Sequence, residues 1–360
     1  MKTNKSNSKN FDTMSREDRA LNLFAEMMIE KIENINADWK KPWFTEGGIA
    51  WPRNLDGREY NGINTVMLLL LCERMKYRLP VFLTYNKCVS LNFNDTPQGR
   101  MPAVDAEGNR LPWVHVRKGE KSFPVMLTTF TVKGENGEKI RYEDYKLLSP
   151  EEKKKYRVFP ATLVYDVFNI SQTNIEDARP DLFETINGSV TPQCPATETD
   201  GFEFKAFDLM MTENRWLCPI FVRHQDNAFF SPSRDEIVLP EKSQFIDGQS
   251  FYSTAFHECI HSTGTAERLN RLHTDTSFGS PEYAREELVA ELGAALTAYR
   301  YGFCSHVKEE SAAYLNSWLK SLREKPTFIK TVLLDVKRAT SMLTLCLDAL
   351  GAEVSEIEAA

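Results

Sequence analysis

The 360-residue chain carries 44 Lys+Arg against 51 Asp+Glu, with 42% hydrophobic and 26% charged residues. This balance is that of a globular protein and excludes collagen-like, low-complexity and heavily charged disordered chains, while the length allows two domains, each with its own core. The net charge of −7 is unevenly spread: residues 1–160 hold 27 Lys+Arg and 21 Asp+Glu, and the remainder is net −13, so the front half is the part suited to an anionic partner.

The longest apolar run, Val66–Cys72, is too short to cross a bilayer, and the opening MKTNKSNSKN lacks the apolar stretch of a secretory signal. It reads as a disordered tip. Seven scattered cysteines without a C-x-x-C pair exclude a disulfide framework and a zinc ribbon, and fit a reducing cytoplasm.

In chain order, Ser15 caps a first helix with apolar rows at Leu21, Phe24, Ala25, Met28 and Ile32. The aromatic, proline-rich passage Asp38–Gly62 reads as loop and turn, and INTVMLLLLCERM as a buried helix. VFLTY, WVHVRKG, FPVMLTTFTV and KIRYEDY read as strands, with a hairpin turn at Lys133–Gly137. Asn94–Pro112 reads as an extra loop. Glu184–Gly201 is polar and rich in Pro, Thr and Gly, the composition of an interdomain linker.

Beyond it, PIFVRH, NAFFS and DEIVLP predict a small antiparallel sheet, and helices follow to the end. One, capped by Ser253 and closed by Gly264, carries FHECIHS; the next opens on Ser280-Pro281-Glu282 and runs to Tyr301-Gly302. Two more are expected over Ala312–Arg323 and Pro326–Leu350.

On a helix, His257 and His261 lie one turn apart on one face, so both imidazoles reach a single ion, and Glu258 beside them is placed to take a proton from a water on that ion. Zinc is the expected metal, because it lowers the pKa of such a water to about 7. Ala284–Gly302 supplies a third ligand: Glu287 and Glu291 are four apart on a face shared with Leu288, Leu292 and Ala295, and carboxylates on an apolar face need a partner. Glu287 is assigned as ligand and Glu291 as the acceptor that orients a histidine, with the reverse open and Glu286 a third choice. Tyr283, His273 and Arg285 are candidates for stabilising an oxyanion, and DEIVLP or NAFFS for an edge that pairs with a peptide.

In the front half, Trp39, Trp43, Trp51 and Trp113 are interleaved with Lys40, Lys41, Arg53 and Arg58, and Arg117, Lys118 and Lys121 surround a turn at Gly119. Aromatic faces among cations suit unpaired bases and phosphates of single-stranded nucleic acid. Gly62 permits a turn, while Asn61 and Asn64 are placed to cap the following helix.

The run FFSPSRDEIVLPEKSQF…FYSTAFHECIHSTGTAERLNR…FGSPEYAREELVAELGAAL resembles the metallopeptidase domain of ArdC-type antirestriction proteins, and YLNSWLKSLREKPTFIKTVLLDVKRATSMLTL resembles that family's closing helices. Trp39–Trp43, PRNLDGREYNGIN, FLTYNKC, VRKGEKS and VFNISQT are similar to its N-terminal domain. The resemblance implies zinc on His257, His261 and a glutamate of EELVAE, with Glu258 as general base. It also implies single-stranded DNA binding in front, where Tyr60, Asn61 and Asn64 join the candidates.

The expected architecture is α+β in two domains. A disordered tip (1–14) leads into an α+β DNA-binding domain (15–175). A linker (176–201) then joins it to a mainly helical zincin-like metallopeptidase domain with a small sheet (202–360). The expected role is antirestriction for a mobile genetic element, with single-stranded DNA and a protein or peptide substrate as partners. Two alternatives stand beside it: a DNA-binding shield whose metal site is structural or vestigial, and an intracellular zinc peptidase whose front half recognises a protein.

Overall fold

The structure is a computed structural model that describes residues 14–37, 43–44, 50–97, 99–190, 202–272, 280–302 and 314–359. Residues 1–13 of the expected tip and 191–201 of the expected linker lie outside the described residues. Two compact units do not follow chain order: Met1–Leu21 with Phe82–Arg179, and Asn22–Val81 with Pro180–Ala360. Among the described residues no helix is long and apolar enough to cross a membrane.

Helix α1 (Arg16–Ala37) starts on Ser15, whose hydroxyl accepts from the Asp18 N–H at 3.0 Å, and it buries the expected apolar row. From Asn22 onward it belongs to the second unit, together with β1 (Arg53–Asn54) and α2 (Ile63–Met75). Helix α2 buries Thr65 to Leu70 and Cys72. Gly62 is its N-cap, with φ 59°, and a Cβ there would lie 2.8 Å from the Lys337 side chain, so both backbone and space require glycine. The N-cap position itself is held by Gly62 and not by Asn61 or Asn64.

The first unit contains β2 (Val81–Thr84, from Phe82 on), α3 (Tyr85–Ser90), β3 (Phe93–Thr96), β4 (Gly99–Pro102), β5 (Phe123–Gly134), β6 (Lys139–Ile140), α4 (Tyr142–Leu147), α5 (Pro150–Lys153), β7 (Tyr156–Asn169) and α6 (Ile175–Ala178). Its sheet runs β2-β7-β5-β6, and β5 and β7 pair antiparallel from Phe123↔Val167 to Gly134↔Tyr156. The KGENG hairpin forms as expected, with Gly137 at φ +82° and the Gly134 N–H donating to Glu138 O at 2.9 Å.

Three expectations fail in this unit. WVHVRKG makes only an isolated bridge, Val116↔Thr173, because the Asn92 side chain satisfies both main-chain groups of Val114, at 2.7 and 2.9 Å, in place of a ladder. KIRYEDY leaves the sheet after Ile140: acidic Glu143 and Asp144 occupy the first turn of α4, and Tyr142 stacks on Phe130 with centroids 4.1 Å apart. The loop expected over Asn94–Pro112 contains the β3–β4 hairpin.

The second unit resumes with α7 (Pro180–Ser189), α8 (Lys205–Thr212), β8 (Ile220–Arg223), β9 (Phe229–Ser231), β10 (Glu236–Pro240), α9 (Gly248–Ser262), α10 (Pro281–Arg300), α11 (Leu315–Glu324) and α12 (Phe328–Ala359). The described start of the expected linker is therefore largely helical, and its Ala178 and Ile186 are buried. The small sheet is mixed: β10 runs antiparallel to β9 and parallel to β8, because the chain crosses to the β9 edge before entering the middle. Helix α9 is capped by Asp247, which accepts from the Ser250 N–H at 2.7 Å, so Ser253 lies inside the helix and does not cap it. Helix α10 starts on Ser280 as expected, and α12 continues nine residues beyond Leu350. A Cβ on Gly293 would meet Ile260 Cγ1 at 2.9 Å; that glycine lets α10 approach α9.

Candidate metal centre

Helix α9 carries Phe256 and Ile260 into the core and, on the adjoining face, His257 and His261. The Nε2 atoms of the two histidines are 3.0 Å apart. Glu287 reaches the same point from α10, with Oε2 3.4 Å from His257 Nε2 and Oε1 3.5 Å from His261 Nε2. Donor atoms of His257, His261 and Glu287 all lie within 4.8 Å of one another. Two imidazoles and one carboxylate form the donor set of a divalent cation site.

Each histidine turns its other nitrogen to a different carboxylate. His257 Nδ1 lies 3.6 Å from Glu291 Oε1, and His261 Nδ1 lies 3.3 Å from Glu286 Oε1. Glu287 is thus the glutamate that faces both Nε2 atoms, and Glu291 stands behind His257. Glu286, the third ligand candidate of the sequence, stands behind His261 and is gripped by Arg271 at 2.9 and 3.0 Å. Nothing in the sequence singles out Arg271, because it arrives through a turn that folds back onto α9.

Burial alone would raise the Glu287 pKa, but the charges of His261 and His257 and a Tyr283 hydrogen bond outweigh it and hold the carboxyl far below the usual range. Burial likewise opposes charge on His261, and Glu287, Glu286 and Glu258 overcome it, leaving the imidazole pKa raised. Tyr283 is pushed up by burial and by Glu287 beside it.

Glu258 is buried, and its Oε2 accepts a 3.0 Å hydrogen bond from the Phe230 N–H. Ile237, opposite Phe230 on β10, donates to Pro219 O on its other side, so the Phe230 N–H points off the sheet edge. Of the oxyanion candidates, Arg285 is paired with Asp335, Tyr283 bonds Glu287, and His273 lies outside the described residues.

The candidate DNA residues divide. Trp39, Lys40 and Lys41 lie outside the described residues. Trp43 is fully buried with its ring centroid 6.3 Å from that of Trp318, which makes it a core residue and removes it from any DNA-binding surface. Trp51 donates from Nε1 to Tyr60 O at 2.9 Å beneath Arg300. Arg53 donates to Ser189 Oγ at 2.6 Å, and Tyr60 is half-buried with its pKa pushed up to about 12 by burial.

Asn64 is half-buried, whereas Arg58 and Asn61 are exposed in the second unit. In the first unit Arg117, Lys118 and Lys121 are exposed, with Arg117 also donating to Ser171 O at 3.2 Å.

Residues 18–168 match the family described as the N-terminal domain of anti-restriction factor ArdC, and residues 218–332 match a zincin-like metallopeptidase family. A DNA primase TraC of Escherichia coli is 31% identical over 313 residues, a match covering 84% of this chain and 18% of that protein. A second TraC primase is 28% identical over 333 residues, and the chain spans 26% of its length.

The metal-free crystal structure of the antirestriction protein ArdC of plasmid R388 superposes with a TM-score of 0.61 at 25% identity, covering 91% of this chain and 98% of that one. Its Mn(II)-bound structure gives 0.60 at 23% identity. With an ArdC N-terminal domain in front, a zincin-like domain behind and one known fold spanning both, the chain belongs to the family of ArdC-type proteins.

Proposed function

We propose that the chain is a cytoplasmic antirestriction protein of a mobile genetic element. In this reading it binds single-stranded DNA and carries a zinc-dependent peptidase-like centre on His257, His261 and Glu287. The observation that carries the reading is the convergence of those three donors beside a carboxylate, Glu258, that is held apart from them by a backbone N–H. A zinc ion there would act as a Lewis acid toward a peptide carbonyl and a water. Glu258 accepts the proton of the attacking water and passes it to the departing amide nitrogen. Glu286, 3.3 Å from His261 Nδ1, keeps that nitrogen's proton in place so that the Nε2 lone pair is free for a metal, and the Glu291 carboxylate stands 3.6 Å behind His257 Nδ1.

The DNA partner is supported by relatives named as a DNA primase and an antirestriction protein, and by the exposed Arg58, Asn61, Arg117, Lys118 and Lys121. The matched primases are several times longer, so their whole activity is not transferred.

The test compares zinc content, peptide turnover and protection of incoming DNA in wild type and Glu258→Gln. One zinc per chain in both, with turnover falling by about 10²-fold or more in the variant, supports the peptidase. If protection survives in Glu258→Gln, the protein shields DNA without proteolysis. Oligonucleotide binding that does not weaken as salt rises contradicts the DNA partner.

A further inference from the structure

Arg271 makes an unusual set of bonds for a residue in a surface-connecting segment. After α9 the chain turns back on itself, with the Arg271 and Leu272 N–H groups both donating to Gly264 O at 2.8 Å. The turn drives the Arg271 side chain inside, where it is 2% exposed and Glu286 is 3% exposed. The guanidinium donates from Nε and Nη2 to the two Glu286 oxygens at 3.0 and 2.9 Å, from Nη2 to Ile260 O at 2.9 Å, and from Nη1 to Thr263 Oγ1 at 3.0 Å. It thus ties the last turn of α9 to the first half of α10. Glu286, fixed by this fork, presents Oε1 to His261 Nδ1 at 3.3 Å.

A buried ion pair adds little net stability once desolvation of both charges is counted, so stability is a weak reason for its presence. Orientation is a better one. A carboxylate locked by a bidentate guanidinium cannot rotate, and it holds one ring nitrogen protonated and the other free.

We infer that Arg271 and Glu286 are positioning residues of the metal centre: the pair fixes the ring of His261 so that Nε2 faces His257 Nε2 and Glu287. The inference rests on the proposed metal site. Neither residue touches the ion, and Arg271 acts only through Glu286.

The test is zinc affinity of the full chain, measured by chelator competition for wild type, Arg271→Met, Glu286→Gln and the double variant. Metal-free melting and the visible spectrum of the Co(II)-loaded forms are recorded alongside. Each single variant is expected to weaken zinc by about 10- to 100-fold. The double variant should lose no more than the worse single, because removing one member already frees the other. The Co(II) bands should shift, and Arg271→Lys, which keeps the charge but not the fork, should recover only part of the affinity.

The double variant leaves no unpaired buried charge and so guards against simple unfolding of Arg271→Met. Folded single variants with wild-type zinc affinity and an unchanged Co(II) spectrum would overturn the positioning role while leaving the metal site intact. A wild-type chain that takes up neither zinc nor cobalt would overturn the metal reading itself.

Discussion

The carboxylate proposed as general base is held by a backbone group: Glu258 Oε2 accepts a 3.0 Å hydrogen bond from the Phe230 N–H. Proline at an edge position whose N–H leaves the ladder is tolerated by the sheet. Phe230→Pro should therefore retain zinc and fold but lose peptide turnover, whereas Phe230→Ala should keep both; equal activity in the two variants would refute the role.

A second residue-scale prediction concerns Asp208, whose two oxygens accept the Tyr252 hydroxyl at 2.9 and 2.8 Å and whose pKa is raised by burial above 3.8. A carboxyl that binds its proton more tightly when folded contributes stability at low pH, and this is lost as pH rises through the folded value. The melting advantage of wild type over Asp208→Asn should thus be larger at pH 4 than at pH 7. A flat or reversed difference in thermal melts would count against it.

At this scale the sequence was most informative where chemistry is local. His257, Glu258 and His261 follow from spacing on one helix, and Glu287 from its apolar surroundings. Arg271 and the Phe230 N–H were hidden because a turn and a strand edge, not a residue pattern, deliver them. Trp43 misled for the opposite reason: an aromatic among lysines looks like a stacking platform until its burial is known.

Between elements, the centre is a two-helix construction. Helix α9 supplies the histidines and α10 the three glutamates, so the spacing of the two axes sets every histidine–glutamate distance. Gly293 is the contact that permits this spacing, with Ile260 2.9 Å from the position of a Cβ. Gly293→Ala should force the helices apart and cost about 1–3 kcal/mol of stability, together with weaker zinc binding. An unchanged melting temperature with unchanged zinc affinity would show that the interface absorbs the methyl.

The caps of α1 and α10 were legible because Ser15 and Ser280 act on their own first turns. KIRYEDY was not: its alternation suits a strand, and only the stacking of Tyr142 on Phe130 and the acidic first turn turn it into helix. The parallel pairing of β8 with β10 was hidden for the same kind of reason, since strand direction depends on the path of the connection.

For the molecule as a whole, the family matches are contiguous, residues 18–168 and 218–332, whereas the compact units are interleaved. The sequence suggested a cut near residue 176. The structure gives Asn22–Val81 to the C-terminal unit, where Trp43 packs near Trp318 and Gly62 lies against Lys337. Such pairings lie hundreds of residues apart and leave no periodic signature. Separately expressed fragments 1–175 and 176–360 should accordingly melt well below the intact chain or fail to fold, as followed by circular dichroism. Two fragments as stable as the parent would show that the boundary is independent after all.

The same interleaving imposes a waiting time at the ribosome. Residues 22–81, including the apolar α2, emerge about 100 residues before the first segment that covers them and well before α12. At translation rates of roughly 5–20 residues per second, a wait of about 100 residues lasts roughly 5–20 seconds. The nascent chain therefore presents the apolar residues of α2 before the C-terminal segments of its own unit have been made.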